Sequence, residues 1–272
     1  MQYDPVKRRL GVVFNSTPFL RKVFYRLLDL LLLRSWHIQR ELRKWITERT
    51  AAGKPVSAVY DAGAGFGQYT CWLSGLVPKA RITAIDVKEE QVADCNAFFQ
   101  RIGRPQVKFE VGDVTRYQQA NSFDLVVCVD VMEHILEDEA ALRCYSTSLK
   151  EGGMLIISTP SDQGGSDVHE EGEGSFIEEH VRDGYNIDDI RAKCLRNGFS
   201  KVEARYSYGA PGKISWKLSM KWPLLLLQAS KLFFILLPFY YVLTYPFAFV
   251  LNMADVRMKH ATGTGLVVKA WK

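Results

Sequence analysis

The sequence predicts an α/β fold: a mostly parallel sheet of seven strands with helices on both faces, preceded by helices and interrupted near its end by a helical apolar insertion. Short apolar, β-branched runs alternate from Val56 onward with helical segments of about a dozen residues, which is the rhythm of βαβ units. These runs are continuously apolar instead of alternating, the mark of strands covered on both faces. After Pro160 the rhythm gives way to an acidic Gly-rich stretch, one helix, one strand and a long apolar segment before a last strand.

In order along the chain, residues 1–55 form a basic helical cap. Residues 1–56 carry 12 Lys or Arg against 4 acids, and FLRKVFYRLLDLLLLRSWHIQRELRKW sets Arg21, Lys22, Arg26, Arg34 and Trp36 around a leucine-rich helix. Residues 56–212 form the core. VSAVYD is its first strand, followed by a helix from Gly67; RITAID is the second, followed by a helix over 88–102. VKFEVGD, FDLVVCVD with a helix from Leu136, and GGMLIIST complete the parallel part. Residues 161–190 hold 10 acids against Arg182 alone, a polar loop after a strand end. Asn186 then caps a helix that Gly198 stops, and VEARYSY is the next strand. Residues 213–258 are the hydrophobic insertion, and 259–272 supply the final strand, GLVVKAWK.

A formal charge of +5 is too small to imply nucleic acid. The five cysteines (Cys71, Cys95, Cys128, Cys144, Cys194) are isolated and lie in apolar runs, which reads as reduced buried thiols. The N-terminus shows no h-region before a cleavage site, so the expected location is the cytoplasm or the cytoplasmic face of a membrane.

LFFILLPFYYVLTYPFAFVL, residues 232–251, is uncharged and long enough to cross the ~30 Å hydrocarbon layer. A last strand that must rejoin its own sheet nevertheless requires an even number of crossings, and only one run of spanning length exists. Pro238 and Pro246 are expected to break that run into short pieces. A re-entrant or interfacial hairpin, or a lid over the substrate pocket, therefore remains. Lys213, Lys217, Lys221, Trp216 and Trp222 before it, tyrosines within it, and Arg257 and Lys259 after it suit a head-group boundary.

The most specific motif is VYDAGAGFGQYT. Asp61 closes a strand, and Gly63, Gly65 and Gly67 follow at two-residue spacing before a helix, so the backbone can turn tightly and approach a ligand. An acid beside the loop repels pyrophosphate and suits a cation. The pattern resembles motif I, D-x-G-x-G-x-G, of the class I S-adenosylmethionine-dependent methyltransferases, with their Rossmann-like sheet. The resemblance continues through Asp86 at the end of RITAID, Asp113 after VKFEVG, FDLVVCVDVMEHI and LKEGGMLIISTP, over about residues 56–160.

The resemblance implies S-adenosyl-L-methionine as cofactor, with S-adenosyl-L-homocysteine as product. It implies cofactor contacts from Asp61, Ala62, Gly63, Gly65, Gly67 and Tyr69, from Asp86 and Val87, from Gly112, Asp113 and Val114, and from Asp130 and Val131. Asp86 would accept from the two ribose hydroxyls and Asp113 from the adenine amino group. His134 and His180 are the catalytic-base candidates, and Arg182 and Tyr185 are placed on the substrate side. Asp130, Glu133 and His134 also fit a D/E-x-x-E-H pattern similar to a divalent-metal site of ubiquinone-pathway O-methyltransferases, which His169 or His180 could complete. The same letters recur in metal-free relatives and the first acid here is the shorter Asp, so no metal is expected.

The function expected is methyl transfer to an oxygen, a phenol or hydroxyl, of a lipophilic or lipid-linked acceptor at the membrane surface. Its rivals are a soluble methyltransferase for a small carboxylic acid or amine with the insertion as its lid, and a catalytically idle cofactor- or membrane-binding module. The intact acids of the loop and strand ends argue against the last.

Overall fold

The computed structural model describes residues 17–164, 181–230 and 233–272. Its centre is the expected sheet. Strands β1 (Ala58–Ala62), β2 (Arg81–Asp86), β3 (Val107–Val111), β4 (Phe123–Val129), β5 (Leu149–Pro160), β6 (Lys201–Ser207) and β7 (Gly265–Trp271) lie in the order β3-β2-β1-β4-β5-β7-β6. The first five pair in parallel, and β7 runs antiparallel between β5 and β6. The chain order reverses at β1 and β4, so the carboxyl ends of these two strands open the crevice where such sheets bind ligands.

Helices cover both faces: α1 (Pro18–Leu31), α2 (Leu33–Ala51), α3 (Gln68–Leu76), α4 (Glu89–Arg101), α5 (Asp138–Ser148) and α6 (Ile187–Arg196). Two apolar cores result. One lies between the sheet and α5–α6, around Tyr60, Phe123, Met132, Tyr145 and Leu155. The other lies beneath α2–α4, around Ile38, Leu42, Leu73, Phe98 and Phe109. The expected caps are present: the Asn186 side chain accepts from the Asp188 and Asp189 amides, and Gly152 takes φ +71 in the turn inside β5.

The basic cap is two helices, not one. Leu32 is extended (φ −90, ψ 108) and separates α1 from α2. Arg21 and Tyr25, buried on α1, both donate to the Phe66 carbonyl in the glycine loop, and Arg21 also pairs with Asp94 at 2.6 Å.

The insertion is a helical hairpin. Its first arm is α7 (Ala210–Trp216), a π turn (Lys217–Lys221) and α8 (Trp222–Ala229); its second is α9 (Phe233–Arg257), 25 residues long or about 37 Å. Both arms start and end beside the antiparallel β6–β7 pair, so the hairpin leaves and rejoins the sheet on one side, as the final strand requires. Tyr240 and Tyr241 donate to the Leu218 and Ser219 carbonyls at 2.7 and 2.9 Å, and Ser215 donates to Ala248 at 3.1 Å. Pro238 and Pro246 do not divide the segment as expected: α9 is continuous through both. The carbonyls these prolines leave without an intrahelical donor are four residues back, at Phe234 and Val242, which are exposed, and the tyrosine bonds hold the helix to its partner arm.

The hairpin base is a buried clasp. Asp255 accepts from His37 Nε2 at 2.8 Å, from the Gly212 amide at 2.9 Å and from the Tyr208 amide at 3.2 Å, and His260 Nε2 lies 3.2 Å away. One carboxylate thus ties α2, the end of β6, α7 and α9 together.

Candidate functional site

The crevice is built from the β1 turn outward. Gly63, Gly65 and Gly67 have φ of +70, +51 and +77, values at which a Cβ is strained. The three are not equivalent. A Cβ on Gly63 would stand 2.4 Å from Val131 Cγ2, and one on Gly67 2.9 Å from Phe109, so these glycines permit close packing. A Cβ on Gly65 would meet nothing within 4 Å, so the loop there faces open space of the kind a ligand fills.

Asp86 holds this loop. One carboxylate oxygen accepts from the Gly65 amide at 2.8 Å and the other from the Lys88 amide at 3.0 Å, which leaves a lone pair on each for a further donor. Asp61 is buried and accepts from Thr70 at 2.5 Å. Burial is the main cause that pushes its carboxyl up to about 6, with the Asp86 charge adding to it and the Thr70 hydrogen bond opposing it. A buried acid whose charge is this costly favours a cation beside it.

At the end of β4, Asp130 takes φ +53, a left-handed conformation uncommon for a residue with a side chain. Its carboxylate pairs with Arg34 of α2 at 2.7 Å. Burial works against the Arg34 charge, yet Asp130, Tyr69 and Tyr208 outweigh it and raise its pKa. Beside it the Tyr69 hydroxyl meets Ser35 Oγ at 3.1 Å, and the Tyr208 hydroxyl accepts from the Arg34 amide at 3.0 Å. Glu133 is buried and accepts from the Thr159 hydroxyl at 3.0 Å. Burial first and the Asp130 charge second push its carboxyl well above the usual carboxylate range and favour its acid form.

The expected cofactor residues divide accordingly. Asp61, Gly63, Gly65, Asp86, Asp130 and Val131 meet at the carboxyl ends of β1, β2 and β4, and Ala62 is buried in β1 behind them. Tyr69 reaches the same crevice from α3, through Ser35. Val87 is exposed directly after Asp86. Gly112, Asp113 and Val114 follow β3; Asp113 caps its own turn, accepting from the Thr115 amide and hydroxyl at 2.8 and 2.7 Å.

His134 stands exposed at the end of a short 3-10 turn, Met132–His134, on the same edge. His169 and His180 lie outside the described residues. Arg182 and Tyr185 both bond the Asp138 carboxylate, Tyr185 at 2.8 Å, and Arg182 also donates to the Ile135 carbonyl at 2.6 Å. With Tyr185 buried, the pair clamps the segment after β4 from behind. Among the described residues no three His, Cys, Asp or Glu side chains gather as a metal site. Of the D-x-x-E-H letters, Asp130 pairs with Arg34 and Glu133 accepts from Thr159. Arg34, Ser35 and Tyr208 are the crevice residues that sequence spacing did not single out.

A family model described as a methyltransferase domain matches residues 60–157. The ubiquinone biosynthesis O-methyltransferase of Xanthomonas axonopodis pv. citri is 35% identical over 103 residues, covering 37% of this chain and 42% of that protein. The human mitochondrial ubiquinone biosynthesis O-methyltransferase is 32% identical over 113 residues, covering 39% of this chain and 30% of that one. The aligned part thus spans less than half the length of these relatives. Among solved structures, Haemonchus contortus phosphoethanolamine N-methyltransferase 2, bound to phosphomonomethylethanolamine and S-adenosylhomocysteine, superposes with a TM-score of 0.57 at 18% identity over 79% of this chain and 48% of that one. The [4+2]-cyclase SpnF superposes at 0.56 with 16% identity over 85% and 80%. Likeness at this identity concerns the fold, and the pair shows how differently one fold is used. The matched domain runs from the first strand of the sheet to the fifth, and residues 60–157 are thus a methyltransferase domain of the class I S-adenosylmethionine-dependent type.

Proposed function

We propose that the chain transfers a methyl group from S-adenosylmethionine to a phenol or hydroxyl oxygen of a lipophilic or lipid-linked acceptor at the cytoplasmic surface of a membrane. The observation that carries this reading is the joining of an exposed apolar hairpin to the cap of the cofactor crevice. Tyr245 of α9 donates to the Leu30 carbonyl at 2.9 Å, and Trp36 Nε1 donates to the same carbonyl at 3.0 Å. This bond lies at the α1–α2 break, directly before Arg34 and its partner Asp130. The relatives named for ubiquinone biosynthesis support the choice of oxygen, and five free cysteines suit a reducing compartment.

The residues present fit the donor, because Gly65 faces open space and both Asp86 oxygens keep a free lone pair. Asp86 would hold the ribose hydroxyls, and Asp61 would favour the amino group. When bound, the donor supplies an electrophilic methyl on a sulfonium. The chain's own work is to position and to manage protons. Arg34 neutralises Asp130, and burial disfavours a charge on Glu133, so the acceptor end of the crevice suits an uncharged hydroxyl. Burial in such a site orients the oxygen, which supplies much of the rate in a displacement reaction. His134, and His180 beyond the described residues, are the candidates to accept the phenolic proton.

The reading is tested by offering labelled donor to a polyprenyl-tailed phenol and to the same phenol without its tail, both with vesicles present. A kcat/KM about tenfold or more higher for the tailed phenol is expected, with label on oxygen, since several buried methylenes contribute this much. Equal rates reject the lipophilic acceptor, and label on nitrogen or carbon rejects the oxygen.

A second expectation concerns pH. The Asp61 carboxyl titrates near 6 in the free protein, and a cation bound beside it lowers that value, so ligand binding expels a proton below pH 6. Affinity for S-adenosylhomocysteine, which keeps the ammonium, should therefore fall with acidification below about 6, by up to about tenfold per pH unit. Calorimetric titrations from pH 7.5 to 5 would show it, and Asp61→Asn should flatten the profile.

A further inference from the structure

The outward face of α9 is the most exposed apolar surface of the hairpin, and the first arm adds Trp222, Leu224 and Leu225, each about half exposed. On α9, Ile235, Phe239, Val242, Leu243, Phe247 and Val250 are each 64% or more exposed, and their spacing places them on one face. The opposite face holds Ala248, Asn252 and Asp255, buried toward α7, so the apolar stripe points away from the protein. Only 6% of the most apolar part of α9 is buried, which is not the state of a lid closed over a pocket. On the other arm, Ser215 turns toward α9, where it donates to Ala248 and meets Asn252. Lys213 and Lys217 lie two residues either side of it, about 200° around the helix, and Lys221 continues their row on the far edge.

The flanks of the stripe are basic. Arg257 and Lys259, exposed, follow α9, and the α1 helix that Tyr245 binds exposes Lys22 and Arg26 beside Phe19, Leu27 and Leu30. Cations set directly against exposed apolar side chains complement anionic head groups over an acyl layer. A second copy of the chain would have no such use for them, because this surface would meet itself with like charge.

We propose that α9 lies along the surface of an anionic phospholipid leaflet, its stripe in the boundary between head groups and acyl chains and the row of Lys213, Lys217 and Lys221 on the water side. The orientation follows from the lysines. A hairpin standing across the bilayer would carry Lys217 and Lys221 toward hydrocarbon, whereas one lying flat keeps them at the water side and still returns both ends to the β6–β7 pair. The proposal deepens the membrane part of the function above and rests on it.

The test uses the full chain, sedimented with vesicles of phosphatidylcholine alone or mixed equally with phosphatidylglycerol. The chain should bind mixed vesicles about tenfold or more tightly than neutral ones, and a variant combining Phe239→Ser, Leu243→Ser and Phe247→Ser should lose about tenfold or more of that binding. A variant combining Lys213→Glu, Lys217→Glu and Lys221→Glu should stay within about twofold at about 0.15 M salt, because its charges face water on the arm away from the lipid, where salt screens them. A protein that stays in the supernatant, a stripe variant that binds as before, or a lysine variant that loses binding overturns the proposal. So does a dimer without vesicles that the stripe variant dissolves, which would assign the stripe to a second copy. S-adenosylhomocysteine titration of each variant separates the two readings. Cofactor binding without vesicle binding rejects only the docking edge, and vesicle binding without cofactor binding rejects only methyl transfer.

Discussion

Asp86→Ala should weaken S-adenosylhomocysteine binding by about 100-fold or more, measured by calorimetry at pH 7.5, because two hydrogen bonds to a charged acceptor contribute about 3 kcal/mol or more together. The structure adds a second cause to the loss of the ribose contacts. The same carboxylate holds the Gly65 amide at 2.8 Å and the Lys88 amide at 3.0 Å. Its removal leaves the Gly65 amide, at φ +51, without its acceptor, while the Phe66 carbonyl stays held by Arg21 and Tyr25. Asp86→Asn keeps one acceptor oxygen and should lose less than Ala. Thermal stability should change little in either variant, since Asp86 sits at the crevice edge and not in an apolar cluster. Unaltered binding in Asp86→Ala would remove this acid from the cofactor site.

The parts of the molecule that were legible in the sequence are those encoded by short separations. The glycine loop, the acid ending β2 and the turn at Gly152 each depend on a handful of neighbouring residues whose types have one main physical use. The parallel character of the sheet followed from the continuous apolar runs, and GLVVKAWK returns to the sheet as expected. Contacts across the chain left no comparable signal. Arg34 reads as one more cation in a basic arm, and nothing near it names Asp130 as its partner. Nothing near Arg182 and Tyr185 in sequence names Asp138, at the start of α5, as the carboxylate that holds both. Pro238 and Pro246 were read as breaks because local propensity says so. On a long helix with exposed carbonyls and a bonded partner arm, tertiary contacts override that preference.

The clasp at the hairpin base is the clearest long-range case, and Asp255→Ala should be the most destabilising single change in the described chain outside the apolar cores. Asp255 and His37 are 218 residues apart in sequence, and both are fully buried. Burial alone would raise the Asp255 carboxyl, but the hydrogen bond from His37, then the His37 and His260 charges and the Gly212 amide, hold it below the usual carboxylate range. Alanine would leave His37 Nε2 and the Gly212 amide without their acceptor and the buried space unfilled. Burial favours the neutral His37 imidazole, so the cost is that of two buried donors left without an acceptor, about 1–3 kcal/mol each, which for a chain of this size lowers Tm by about 10 °C. Asp255→Asn keeps the volume and one acceptor oxygen, so it should fall between Ala and the native residue and remain folded for comparison. Differential scanning calorimetry gives the shift, and limited proteolysis locates it: cleavage should appear first at the β6–α7 and α9–β7 junctions, where the clasp joins hairpin to sheet. A Tm within about 3 °C of the native value, under 1–2 kcal/mol, would mean that the apolar contacts of the two arms hold the hairpin without this carboxylate. Loss of vesicle binding in Asp255→Asn at unchanged cofactor affinity would show the clasp setting the angle at which the apolar edge meets the lipid.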